Sequence, residues 1–112
     1  MRHIIFHIRG NAWVPTLDVL EQPGVAEHFG YIKSLCERGD VIAAGPFTDA
    51  EAGGMLVLHE RLSAKDALAI VQDDPGIKSG LIGFHIRPWL VTLEITSAQT
   101  SLPRLQQQGV TR

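Results

Sequence analysis

Five histidines, His3, His7, His28, His59 and His85, are the side chains of this 112-residue chain best suited to proton chemistry, because an unperturbed imidazole titrates near neutral pH. His3 and His7 share one face of an alternating segment, yet four residues of extended strand separate them by about 13 Å, too far for one ion. A cross-strand pair such as His7 with His85 stays open. Polar lining of a sheet face accounts for these residues without a metal, and no metal centre is expected. His28 is placed differently: it falls within the helical-period stripe of Val25, Phe29, Ile32, Leu35 and Cys36, so its ring points toward a sheet or a sheet edge. No Ser-His-Asp or Cys-His constellation can be assembled by motif. Cys36 is the single cysteine, which excludes an intrachain disulfide, and its apolar neighbours mark it as a buried structural thiol. Gly53-Gly54 has neither the spacing nor the strand-to-helix context of a phosphate loop, so no nucleotide cofactor is expected. Trp13 and Trp89 offer an aromatic wall for an apolar or aromatic ligand, with Pro46 and Phe47 near its mouth, although core or dimer packing would use the same side chains.

These residues must be carried by a small set of elements. His3 to Arg9 alternates as a strand, with Ile4, Phe6 and Ile8 on one face and His3, His7 and Arg9 sharing the other with Ile5. Gly10-Asn11 breaks it, and the segment to Gln22 reads as a loop with room for one short helical turn, of a length suited to a pocket rim. A helix follows from Pro23 to Arg38, stopped by Gly39. Val41 to Ala44 is a strand leading into Gly45-Pro46-Phe47, where proline implies an edge, a bulge or the end of pairing. Met55 to His59 is the return strand, and this hairpin is expected to form the inner pair of the sheet. Ser63 with Asp66 three residues on marks the start of a second helix, facing inward through Ala64, Ala67, Leu68, Ile70 and Val71 and ending near Gln72. Asp73-Asp74-Pro75-Gly76 reads as a polar turn. The segment from Leu81 to Ile95 is too long for one strand. Its first half puts Ile82, Phe84 and Ile86 opposite His85, Arg87 and Trp89, and Pro88 divides it from an added strand over Leu90 to Ile95. Residues 96–112 carry no core-facing pattern and read as a tail, with a short helix or an exchanged arm open.

The order is β-α-β-β-α-β with one extra C-terminal strand: an α+β, ferredoxin-like split βαβ domain over residues 1–95 with an antiparallel sheet. Two helices cover only one sheet face. The other is expected to expose Ile5, Val57 or their neighbours with His3, His7 and His85, and packing a second copy against it is the least costly remedy, so a homodimer is expected. Ten Lys+Arg against twelve Asp+Glu give no electrostatic footprint for nucleic acid and no basic face for a membrane surface. No apolar run reaches spanning length, the N-terminus lacks the zones of a signal peptide, and the expected compartment is the cytoplasm.

His28-Phe29-Gly30-Tyr31-Ile32, Gly39, Gly45-Pro46-Phe47-Thr48-Asp49, Gly53-Gly54, Asp74-Pro75 and Pro88-Trp89, taken in order and spacing, resemble the YCII-related family of the dimeric α+β barrel superfamily. The likeness spans roughly residues 2–90. It implies a barrel-like dimer, a small organic ligand, no cofactor, and a His and Asp pair as active site, which maps onto His28 and Asp74. A carboxylate fixes an imidazole tautomer and favours its protonated form, which suits general acid or base work in an elimination or isomerisation. YCII-like proteins include enzymes that look like dehydrochlorinases of chlorinated hydroxyquinols. Members often carry an arginine three residues before the histidine, where this chain has Val25; Arg9 or Arg87 would have to replace it from a strand, and His85 shares the strand face of Arg87. The rival reading is a non-catalytic ligand-binding or accessory dimer, in which His28 satisfies a local hydrogen bond and Asp74 caps its own turn.

Overall fold

The computed structural model describes residues 1–95 and contains one antiparallel sheet with helices on one side. The strands are β1 (Arg2–Arg9), β2 (Val41–Pro46), β3 (Gly54–Leu58) and β4 (Ile82–Trp89), and the helices are α1 (Val25–Glu37), α2 (Ala64–Asp73) and the short α3 (Pro75–Lys78). A single 3-10 turn, Val19–Glu21, interrupts the loop after β1. The spatial order β2-β3-β1-β4, with every neighbouring pair antiparallel, is the ferredoxin-like arrangement expected from the element order.

Local chemistry explains the helix boundaries. The Ser63 hydroxyl accepts from the Asp66 N–H while the Asp66 carboxylate accepts from the Ser63 N–H, satisfying two otherwise unpaired donors at the start of α2. α1 stops at Gly39, whose φ of 82° is the left-handed conformation that ends helices. The core lies between sheet and helices: Ile5, Leu56 and Leu58 from the inner strands pack with Leu35 of α1 and Ala67, Ile70 and Val71 of α2. Burying a side chain such as Leu35 or Leu58 completely contributes about 1.5–3 kcal/mol. The Tyr31 hydroxyl ties α1 to α2 by donating to the Ile70 carbonyl at 2.7 Å. Burial, with the nearby Asp73 and Asp74 charges, pushes its pKa up to about 12.

Six expectations are corrected, the first being the inward face of α2, where Leu68 is 41% exposed and Ala67, Ile70 and Val71 alone are buried. The β2–β3 hairpin is not the inner pair, because β1 inserts beside β3 and leaves β2 and β4 as edges. β4 runs through Pro88, paired with His3, because an edge strand tolerates a residue that donates no ladder hydrogen bond. Leu90 to Ile95 then forms no strand, so the extra C-terminal strand is absent from the described residues. The helices cover the face carrying Ile5 and His7 rather than leaving it open; Ile5 is fully buried, whereas Ile8 on the opposite face is 43% exposed. Cys36 is exposed rather than buried, at the mouth of a cavity that it borders with Ala44, Gly45 and Pro46 of the edge strand β2. The tail assigned to residues 96–112 lies outside the described residues.

Candidate active site

Asp74 closes α2 and caps α3 at once. With Pro75 at the first helical position, its carboxylate accepts from the Gly76 N–H at 2.7 Å, so the expected polar turn is a helix-to-helix junction. The residue is only 1% exposed. A buried carboxylate needs further partners, and α1 supplies one: His28 Nδ1 stands 2.9 Å from both Oδ1 and Oδ2 of Asp74. Capping and imidazole binding, weighed above as alternatives for Asp74, are therefore both present. Gly76 makes the approach possible, because a Cβ there would stand 3.0–3.1 Å from Nδ1, Cβ and Cγ of His28.

A third buried polar group joins them from the sheet. His7 of β1 is 7% exposed, its ring lies 5.0 Å from that of His28 in an edge-on arrangement, and its Nε2 is 3.9 Å from Asp74 Oδ2. That distance is too long for a hydrogen bond. Burial and the neighbouring His28 lower its pKa to about 4, against a smaller opposing pull from Asp74, so the ring is neutral at pH 7. Sequence reasoning placed His7 on the open face and missed it. No local signal marks it, because the face of β1 that the helices cover is set by contacts with distant residues such as Leu35, Ile70 and Val71.

His7 and His28 border a cavity of about 330 Å³ between α1, the ends of β2 and β3, and the loop after β1. This is the lower end of the range for small-molecule sites. Trp13, Val25, Phe29, Ile32 and Leu81 make its wall apolar, and Lys33 is the one lysine lining it, with no carboxylate among its lining residues. The loop is fixed by Gln22, 2% exposed, whose side-chain amide donates to the carbonyls of Val14 and Leu17 at 2.8 and 2.9 Å and accepts from the Val14 N–H at 2.9 Å. Sequence reading also missed Gln22, because a glutamine that organises a loop has no periodic signature.

The fold and the cluster permit a comparison with known proteins. The structure of 5-chloro-2-hydroxyhydroquinone dehydrochlorinase from Burkholderia phenoliruptrix, in complex with 2,5-dihydroxybenzoquinone, is similar. The TM-score is 0.60 at 19% identity, over 80% of this chain and 94% of that one. At that identity the likeness shows the fold. No family model and no curated protein sequence matches the chain.

The proposed ligand-contacting residues divide between two places. Trp13 and Pro46 line the cavity beside His28, whereas Arg9, Phe47, His85 and Arg87 surround a second depression on the open face of the sheet. Arg9 spans the two regions, its guanidinium 5.4 Å from the Trp13 ring. Trp89, 45% exposed near the end of β4, borders neither. His85 stands opposite Phe6, one position from His7, so the two histidines project to opposite faces and cannot share an ion. No helix among the described residues is long and apolar enough to cross a membrane.

Proposed function

We propose that the chain is a small enzyme in which His28, oriented by Asp74, performs general acid and base chemistry on a small cyclic or aromatic substrate held in the cavity. The reaction is an elimination, as the name of the similar dehydrochlorinase describes, or an isomerisation. The observation that supports this is the buried His28–Asp74 pair beside an apolar cavity of one-ring size. With Nδ1 engaged by the carboxylate, Nε2 is the nitrogen left to exchange protons with a substrate. The two imidazoles and Lys33, with no carboxylate on the lining, favour a ligand whose hydroxyl groups become anionic during the reaction.

For a chlorinated hydroquinone the steps balance. The base takes a hydroxyl proton as the ring ketonises, and a proton is returned to the carbon bearing chlorine. Loss of a second hydroxyl proton then expels chloride, so the net change is loss of HCl. We extend the proposal to the assembly: two copies pack their open sheet faces together as a homodimer, the arrangement implied by the YCII-like resemblance.

Chloride release from 5-chloro-2-hydroxyhydroquinone, measured for the wild type and His28→Ala, tests the reading. Activity in the wild type that falls at least a hundredfold in His28→Ala supports it, and equal rates remove His28 from the mechanism.

A further inference from the structure

His7, His28 and Asp74 come from three separate elements, are all buried, and each offers one ligand atom within 4.8 Å of the others. Among the described residues neither ring nitrogen of His7 has a hydrogen-bond partner from the protein, and the nearest polar atom, Asp74 Oδ2, stands 3.9 Å away. The His7 ring is largely buried yet borders the cavity, so an ion or a ligand group can reach its nitrogens from there. Asp74 has capacity to spare: Gly76 occupies Oδ1, while Oδ2 faces the space between the two imidazoles.

We propose that this cluster is a site for a divalent transition-metal ion, held by His7, His28 and Asp74, with its remaining positions turned to the apolar cavity. Two nitrogen donors and one carboxylate are the donor set of catalytic zinc and of non-haem iron(II) sites, and they disfavour magnesium and calcium, which take oxygen ligands. Ligand atoms about 2.1 Å from a tetrahedral ion lie about 3.4 Å from one another, so the cluster closes around it by side-chain adjustments of about an ångström. The adjustment falls on the cavity side, which both rings border. The ion would replace the proton shared by His28 and Asp74, and its open positions would accept a hydroxyl or carbonyl oxygen of a ligand in the cavity.

The test is metal binding to the full chain after treatment with a chelator, and it is independent of any turnover. Zinc is titrated by calorimetry and cobalt(II) by its visible absorption, for the wild type, His7→Phe, His7→Gln, Asp74→Asn and the surface variants His59→Ala and His85→Ala, with folding of each followed by circular dichroism. One equivalent per chain, with micromolar or tighter affinity weakened at least tenfold in Asp74→Asn and in whichever His7 variants fold, and unchanged in the two surface variants, is the expected result. No binding below 100 µM, loss of binding in His59→Ala or His85→Ala, or full affinity in Asp74→Asn overturns the site. Any of those results leaves the His28–Asp74 acid–base reading to stand or fall on the His28→Ala rates.

Discussion

His28 and Asp74, 46 residues apart in the chain, meet so that one ring nitrogen lies 2.9 Å from both carboxylate oxygens. The contact fixes which nitrogen remains for chemistry. Asp74→Asn keeps the size of the side chain and its ability to accept from the Gly76 N–H, but removes the charge that orients the imidazole. We expect activity on the chlorinated hydroquinone to fall about 100- to 10,000-fold, with the double variant His28→Ala/Asp74→Asn no worse than the more damaged single one. Losses that multiply in the double variant would show that the two residues act separately.

Gly76→Ala separates the position of His28 from its identity. Gly76 lies in α3 without a positive φ, so its backbone accepts alanine. The added methyl meets the ring at 3.0–3.1 Å, and His28 must yield. Overpacking of this kind costs about 1–3 kcal/mol. The variant should fold, with a somewhat lower midpoint in urea, and lose at least tenfold in kcat through the displaced imidazole. Wild-type kcat together with an unchanged His28 ring environment in NMR spectra would show that the ring does not depend on this packing.

The element order, the capping box at Ser63 and the stop at Gly39 were legible because each is local: a hydroxyl, a carboxylate and a left-handed glycine act on their own backbone. The position of His28 on the core side of α1 followed from the helical period for the same reason. Which sheet face the helices cover was not legible. β1 has Ile4, Phe6 and Ile8 on one face and Ile5 between His3 and His7 on the other, so alternation alone favours burying the first set. The structure sets Ile5 and His7 against the helices, and that choice depends on contacts with Leu35, Ile70 and Val71, dozens of residues away. The same error hid His7 from the candidate site, and of the expected ligand residues Phe47, His85 and Arg87 border the far face while Arg9 lies between the two regions.

Gly53 should be intolerant of any side chain. Its φ is 84°, and a Cβ would collide with the His7 carbonyl across the sheet. Strain and collision act together, so Gly53→Ala should cost more than about 2 kcal/mol in the denaturant midpoint analysis. Because the collision falls on the backbone of His7, proton resonances of the His7 and His28 rings should shift in whatever fraction stays folded. A neutral effect on stability would mean that the β1–β3 register relaxes easily at this end.

The buried, neutral His7 makes stability depend on pH in a defined window when metal is absent. Its folded pKa is about 4 against 6.5 for the exposed side chain, so between these values the unfolded chain binds more protons than the folded one. Stability contributed by this group is constant above about pH 6.5, falls as the pH drops toward 4, and levels off below. The full shift corresponds to roughly 3 kcal/mol. In the chelator-treated protein, His7→Gln should flatten the slope of unfolding free energy between pH 6.5 and 4 relative to the wild type; parallel slopes would show that His7 is not the titrating group.

The open face of the sheet yields the last prediction. Ile8 is 43% exposed and Phe6 is half-buried, beside Met55 of β3, with His85 and Arg87 on the neighbouring edge strand. Two such faces laid together would remove this apolar surface from water, and each fully buried Ile or Phe contributes about 1.5–3 kcal/mol. A carboxylate in the centre of that contact would be desolvated in both copies, a cost that the neighbouring His85 and Arg87 offset only in part. Phe6→Glu should therefore convert a wild-type dimer into a monomer in sedimentation experiments, while Leu68→Glu, on the exposed side of α2, leaves the mass unchanged. Since Phe6 points away from His28, the monomer should retain the His28–Asp74 contact, so its remaining activity measures directly how much the cavity relies on a second copy. A wild-type chain that sediments as a monomer would overturn the dimer.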